Sequence, residues 1–296
     1  MKILVSGLLN IETSLKVDSF PIHYNPIEYP FFGVDSCVSG VGYNITKALK
    51  TLGDDVTLLS KLAKDMNGEL IINELKVNDI DTKHLEISLI QTPQSVVLVD
   101  QEGKRKIYCD LKDIQDSNSI DVSNIDLSKY SLLALTNINF NRELLKAAKE
   151  KGVKIATDVH VLSSLEDTYN DDFMKVADIL FLSNEAIYGR EEKLIKEIYA
   201  KYHNEIIICG CGEKGALMYM GKEDKMYYQG AVAPLGISST IGAGDALFSC
   251  FIHYYAKGEE LEECLKKATL FAGLKISQNG GSNGFFTELE LNKYLK

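Results

Sequence analysis

No run of apolar residues in the sequence reaches the ~18 needed to cross a bilayer, so no membrane partner is expected. The first ten residues, MKILVSGLLN, lack the long apolar core of a secretion signal and read as a β-strand. An excess of positive charge is also missing. With 32 Lys and Arg against 42 Asp and Glu, the formal net charge is −10 at pH 7. Neutralising a phosphate backbone needs the opposite sign, so no nucleic-acid partner is expected. One anion held locally by backbone N–H groups stays open. A chain of 296 residues needs no disulfide staples, and the six cysteines are read as reduced in a cytoplasmic protein. Cys209-Gly-Cys211 has a metal-like spacing but no second pair elsewhere. A metal site and two buried strand cysteines are the competing readings. Internal repeats, low-complexity segments and linkers are missing too, and the length suits one large α/β domain or two small ones.

What is present is an alternation of strand and helix patterns. KILVSG, DVTLLSKL, SLLALT, VKIATDV, ADILFLS and EIIICG read as strands. GYNITKALKTLG, NGELIINELKVN, NRELLKAAKEKG and REEKLIKEIYAKY read as helices. This alternation predicts a parallel sheet covered on both faces, with ligands at the carboxyl ends of its strands. Residues 11–38 and 93–110 break the rhythm. The second segment, PQSVVLVDQEGKRKIYCD, reads as a hairpin turning at QEGK. The first holds three of the five prolines and reads as extended segments around turns. Together they predict a small projecting sheet, with two decorated surface loops as the alternative.

Two Gly-rich stretches stand out. Gly242-Ala243-Gly244-Asp245 opens the apolar helix ALFSCFIHYYAKG. The first turn of a helix has unpaired N–H groups and partial positive charge, and small residues let an anion approach them. Helix capping would explain Asp245 but not the two glycines before it. Near the start, VSGVGYNITKALKTLG places Gly40, Gly42 and Asn44 at the beginning of the first long helix. Asn44 can offer a donor and an acceptor to a polyol, or be simply solvated. The G-x-G-x-x-G of dinucleotide binding does not follow the first strand, and the G-x-x-x-x-G-K-[ST] phosphate loop is absent.

Taken in order, five pieces resemble one family. They are GLLNIE after the first strand, SGVGYN before the first helix, LSNEAIYG after a middle strand, GCGEKGAL between two late strands, and STIGAGDALFSCF opening a late helix. The chain is similar over essentially its whole length to ribokinase-like (PfkB) carbohydrate and nucleoside kinases. The last piece is the most specific: the family pattern is close to D-T-x-G-A-G-D-x-F, and G-A-G-D is intact here, with Phe248 one position later than in that pattern. The resemblance implies a ribokinase-like three-layer α/β/α fold in one kinase domain over residues 1–296. Its central sheet would be mostly parallel, and segments 11–38 and 93–110 would form a small β-sheet lid.

The resemblance further implies ATP-dependent transfer of the γ-phosphate to an alcohol group of a sugar or nucleoside, with Mg²⁺ held through phosphates and water. Asp245 would be the catalytic base, and the backbone of Gly242, Ala243 and Gly244 the anion hole. Asn10, Glu12, Gly40, Gly42 and Asn44 match substrate-binding positions. Glu12 stands where an aspartate is usual, and Tyr43 stands where a small residue is usual and is expected to narrow or restack the pocket. Asn184, Gly212, Gly215 and Asn279 match ATP-side positions. Asp158 ranks second as a site candidate, and His160 beside it reads as structural or ligand-adjacent.

Some family positions differ. Ile187 replaces the glutamate of N-x-x-E, Glu185 is out of register with it, and Gly210 replaces a threonine. Ser239 and Ile241 flank Thr240 where cation-site residues are usual, so no strong activation by a monovalent cation such as potassium is expected. Arg105 lies in a short basic run that is either a solvated turn or a substrate contact. A homodimer through the lid sheets is one expectation for Tyr24, Tyr29, Phe31 and Phe32, and packing beneath the lid of a monomer is the other. A non-catalytic sugar or nucleotide sensor on a kinase scaffold is the alternative function, motivated by Ile187 and the altered cation motif.

Overall fold

The structure is a computed structural model and describes residues 1–166 and 168–295. Nine strands form the main sheet: β1 (Lys2–Ser6), β4 (Asp55–Ala63), β5 (Leu85–Leu89), β8 (Leu132–Leu135), β9 (Ile155–Val161), β10 (Ile179–Ser183), β11 (Ile206–Gly210), β12 (Gly215–Met220) and β13 (Lys225–Gly230). Their spatial order is β13-β12-β11-β10-β9-β8-β1-β4-β5. All neighbours from β5 to β11 run parallel, and β12 and β13 add an antiparallel edge.

The burial of β1 shows why the sheet has two covered faces. Ile3 and Val5 join one core with Leu49, Ile71, Phe248 and Leu274. Leu4, between them, joins another with Leu144, Phe173 and Ile195. Successive strand residues point to opposite faces, so each face has its own core. The first core is supplied by α1 (Val41–Thr51), α2 (Met66–Val77), α6 (Ala243–Ala256) and α7 (Leu261–Lys275). The second is supplied by α3 (Arg142–Glu150), α4 (Asp171–Val176) and α5 (Glu191–Tyr202). This is the three-layer α/β/α arrangement expected from the alternation.

The segments that broke the rhythm form a separate four-stranded sheet. It holds β2 (Asn10–Lys16), β3 (Val34–Ser39), β6 (Gln94–Val99) and β7 (Arg105–Asp110) in the order β3-β2-β6-β7. The hairpin turns where expected. Gly103 has φ +81°, and the Asp100 carboxylate accepts the N–H groups of Glu102 and Lys104. The β2–β6 pair is parallel, while β2–β3 and β6–β7 are antiparallel. Between β2 and β3, Tyr24 is 90% exposed and Phe31 85%, with Tyr29 and Phe32 also exposed. The expectation that these rings pack beneath the small sheet is therefore corrected. Among the described residues, no helix is long and apolar enough to cross a membrane.

Candidate active site

The small sheet brings its first strand over the carboxyl end of β1. Asn10 and Glu12 are two apart on β2, share a face, and are both buried. Opposite them on β3 are Ser39 and Cys37. Asn10 Nδ2 donates to Ser95 Oγ at 3.0 Å, and Ser39 Oγ donates to Glu12 Oε2 at 3.2 Å. Asn10 Oδ1 and Glu12 Oε1 have no partner although both are buried. Buried acceptors left open are costly, and a donor from water or from a bound molecule would satisfy these two atoms. Burial pushes the Glu12 carboxyl up, against the hydrogen bonds from Ser39 and the Gly281 N–H.

Helix α1 starts hard against the β1–β2 connection. A side chain at Gly40 would lie 2.5 Å from the Leu8 carbonyl oxygen, and one at Gly42 would lie 2.6 Å from the Gly7 carbonyl carbon. Close approach at these two positions sets Asn44, in the first turn, at the site. Tyr43 departs from expectation. It is wholly buried, and its hydroxyl donates to Glu74 on α2 at 2.7 Å, because neighbouring helix positions face different directions. It packs in the core and does not narrow the pocket.

Helix α6 meets this cluster from the other side. Its N-cap Gly242 has φ +77°, a conformation that glycine adopts without strain, and no side chain caps the helix. Ala243 N–H bonds the Thr240 carbonyl and Ala246 N–H the Gly242 carbonyl. Among the described residues, the N–H groups of Gly244 and Asp245 meet no acceptor, and the space where a side chain of Gly244 would stand is open. Asp245 Oδ2 accepts a 2.7 Å hydrogen bond from Asn44 Nδ2. Burial pushes its carboxyl up to about 6, opposed by that hydrogen bond and by the charges of His160 and Lys275, while Asp158 adds to the rise. Asp158 sits on β9 and accepts the His160 N–H at 2.8 Å, with His160 at φ +58°.

Of the expected ATP-side residues, Asn184, Gly212 and Gly215 lie at the ends of later strands, and Asn279 lies in the loop after α7. Asn184 follows β10, is buried, and donates from Nδ2 to Glu191 Oε1 at 2.8 Å. Ile187 is part of the second core, so its replacement of a glutamate takes that position out of any polar site. Glu185 is exposed and pairs with Arg105 of β7 at 3.2 Å; Arg105 also donates to Thr240 Oγ1 at 3.2 Å. Arg105 thus bridges the small sheet and the segment before α6. Gly212 and Gly215 flank the short connection from β11 to β12. Asn279 Oδ1 accepts from Ser238 Oγ at 3.4 Å. Cys209 and Cys211 are both buried, at the end of β11 and just after it.

Asn44 and Asp245 thus meet directly, Glu12 joins Asn44 through Ser39, and Asn10 adjoins them on β2. Among the described residues, no hydrogen bond joins Asn184, Gly212, Gly215 or Asn279 to that cluster. Four further residues belong to the site. Ser39 and Ser95 carry the hydrogen bonds of Glu12 and Asn10. A side chain at Gly281 would lie 2.7 Å from Ser39 Oγ and 3.1 Å from Asn44 Nδ2. Lys275, wholly buried, donates to the carbonyls of Ile241 and Gly280. A charged residue inside the apolar run LFAGLKI was the only signal for Lys275. No group of three His, Cys, Asp or Glu is placed to hold a metal ion among the described residues.

Known proteins resemble this chain along most or all of its length. The deoxyribokinase of Salmonella typhimurium is 26% identical over the whole of this chain and 99% of its own. The 5-dehydro-2-deoxygluconokinase of Clostridium perfringens is 21% identical over 88% of this chain and 84% of its own. The structure of Arabidopsis thaliana ribokinase with ribose and ATP superposes with a TM-score of 0.82 at 18% identity, covering 99% of this chain and 98% of that one. Residues 1–287 match the pfkB family of carbohydrate kinases, and the chain belongs to that family.

Proposed function

We propose that this carbohydrate kinase transfers a phosphoryl group from ATP to a hydroxyl of a sugar or nucleoside, with Asp245 as the general base. The observation that carries it is the Asn44–Asp245 hydrogen bond beside the open N–H groups of Gly244 and Asp245. A carboxyl near 6 is largely ionised at neutral pH and close enough to that pH to take a proton well. Asn44 engages Oδ2, which leaves Oδ1 to accept the proton of the acceptor hydroxyl. The first-turn N–H groups of α6, with Gly242, Ala243 and Gly244 giving close access, would stabilise charge developing on the transferring phosphoryl group. When bound, ATP supplies that group together with phosphate-held Mg²⁺, whose remaining ligands are mostly water.

Asn10 Oδ1 and Glu12 Oε1 supply acceptors for hydroxyls on the second substrate. Both curated relatives are named for deoxy sugars, which puts such sugars first in a panel. The small sheet would serve as a lid that keeps water from the phosphoryl donor. Its exposed aromatic segment would be the contact in a homodimer, which sedimentation velocity reads directly. Acceptor-dependent ADP formation across sugars and nucleosides tests the function. One acceptor should raise ADP release well above the rate with ATP alone. Thermal stabilisation by sugars with no ADP from any of them would favour a sensor instead.

A further inference from the structure

Lys275 ends α7 and is fully buried, and a buried ammonium must be paired. Its Nζ donates to the carbonyl of Ile241 and, at 2.7 Å, to that of Gly280. Those two carbonyls belong to the segments that shape the site. Ile241 immediately precedes the Gly242 cap of α6. Gly280 precedes Gly281, which lies against Ser39, Asn44 and the Gly242 backbone. The charged and titratable groups facing Lys275 are Asp245 from α6, Glu12 from β2, Cys37 from β3 and Arg105 from β7. Burial pulls its ammonium down to about 8, and Asp245 and then Glu12 resist that fall. Among the described residues no carboxylate bonds it directly. Its partners are backbone carbonyls, the donor set that also holds a bare monovalent cation.

We propose that Lys275 is a positioning residue that acts as a built-in monovalent cation, clamping the Ile241 and Gly280 carbonyls so that the first turn of α6 and the Gly281 turn hold their places at the site. Its kinetic consequence rests on phosphoryl transfer at Asp245; its structural consequence does not. Without the ammonium, two inward carbonyl dipoles repel across a cavity and the segments separate. The N–H groups at Gly244 and Asp245 then shift. Rate suffers more than acceptor binding, because such groups act on charge that develops during transfer. A small monovalent cation fits the emptied space and restores the clamp. The intact protein, carrying its own ammonium, needs none.

The test compares full-length wild type, Lys275→Ala and Lys275→Met in choline, potassium and ammonium chloride at one ionic strength, by thermal unfolding and by turnover. Wild type should melt and turn over alike in all three salts. Lys275→Ala in choline should melt lower and lose roughly 10- to 100-fold in kcat with acceptor KM little changed. Ammonium or potassium should recover both. Lys275→Met fills the space with an apolar chain and should not respond. A wild type that requires potassium overturns the proposal, as does a Lys275→Ala protein that matches wild type in choline or responds to neither ion. Rubidium-soaked wild-type crystals need no variant: rubidium between the two carbonyls contradicts the proposal, and none there supports it. Melting is read without turnover, so a protein that phosphorylates nothing would sink the kinase mechanism and still leave the clamp decided.

Discussion

Asn44 and Asp245 stand 201 positions apart in the chain and share a 2.7 Å hydrogen bond. One is in the first turn of α1 and the other in the first turn of α6, so two helix starts are joined at one carboxylate. The bond orients Asp245 and lowers its proton affinity against the effect of burial. Asn44→Ala should remove both effects. Turnover should drop by about 10- to 100-fold, the cost of a loosened catalytic group, and the acid limb of the rate profile should move to higher pH. Steady-state kinetics across pH checks both.

The pH profile follows from two groups shifted in opposite directions. Asp245 must be ionised to act as base, so kcat/KM should rise through about pH 6. Lys275 must be protonated to bridge its carbonyls, so the rate should fall through about pH 8. Lys275→Arg should keep the acid limb and move the alkaline limb upward, because arginine does not deprotonate in this range.

Asp245 should also cost the fold stability. Its folded value lies above its ordinary 3.8, so the native state binds the proton more tightly than the unfolded chain does. Stability from this group is then greatest below pH 3.8 and is lost as pH rises toward about 6. Asp245→Asn should melt above wild type at pH 7, and the gap should close on acidification. Thermal melts at a series of pH values read it.

Two glycines separate space from strain. At Gly281 an added methyl meets Ser39 and Asn44, so Gly281→Ala should destabilise by ~1–3 kcal/mol as overpacking does. At Gly244 the space is open, and alanine suits a helix better by about 0.5–1 kcal/mol. Gly244→Ala should therefore fold at least as stably while losing turnover, because its methyl would stand in the proposed anion site. Paired melts and rates distinguish the two.

Much of the frame was legible from pattern. Buried strands such as ILFLS and EIIICG and amphipathic helices such as RELLKAAKE carry their period in the residues themselves. Edge elements were less legible: β5 and β13 hold few core residues and blend into loops. Helix α7 turns its charged residues Glu262, Glu263, Lys266 and Lys267 outward in its first half, but its second half from Ala268 is buried nearly all round, which blurs the apolar stripe. The Asp245 end of the candidate site could be proposed from the sequence because its residues lie in one contiguous run. The Lys275 clamp could not, because its partners are backbone carbonyls, which leave no mark in a sequence. Nor could the burial of Ile187 and Tyr43, which is set by which way each side chain turns.

Arg105 ties the small sheet to Glu185 and Thr240 through partly exposed contacts. Exposed pairs of this kind contribute about 0.2–1 kcal/mol, so Arg105→Ala should raise acceptor KM by at most about fivefold. ATP hydrolysis without acceptor should rise relative to transfer if the sheet closes over the site.

The most direct measurement is turnover of Asp245→Asn on the acceptor that wild type uses, with acceptor binding followed separately by calorimetry. Binding should survive while kcat falls by about 10²- to 10⁴-fold, the scale of a lost general base. An Asp245→Asn protein that turns over as fast as wild type would contradict the assignment of Asp245 as the base.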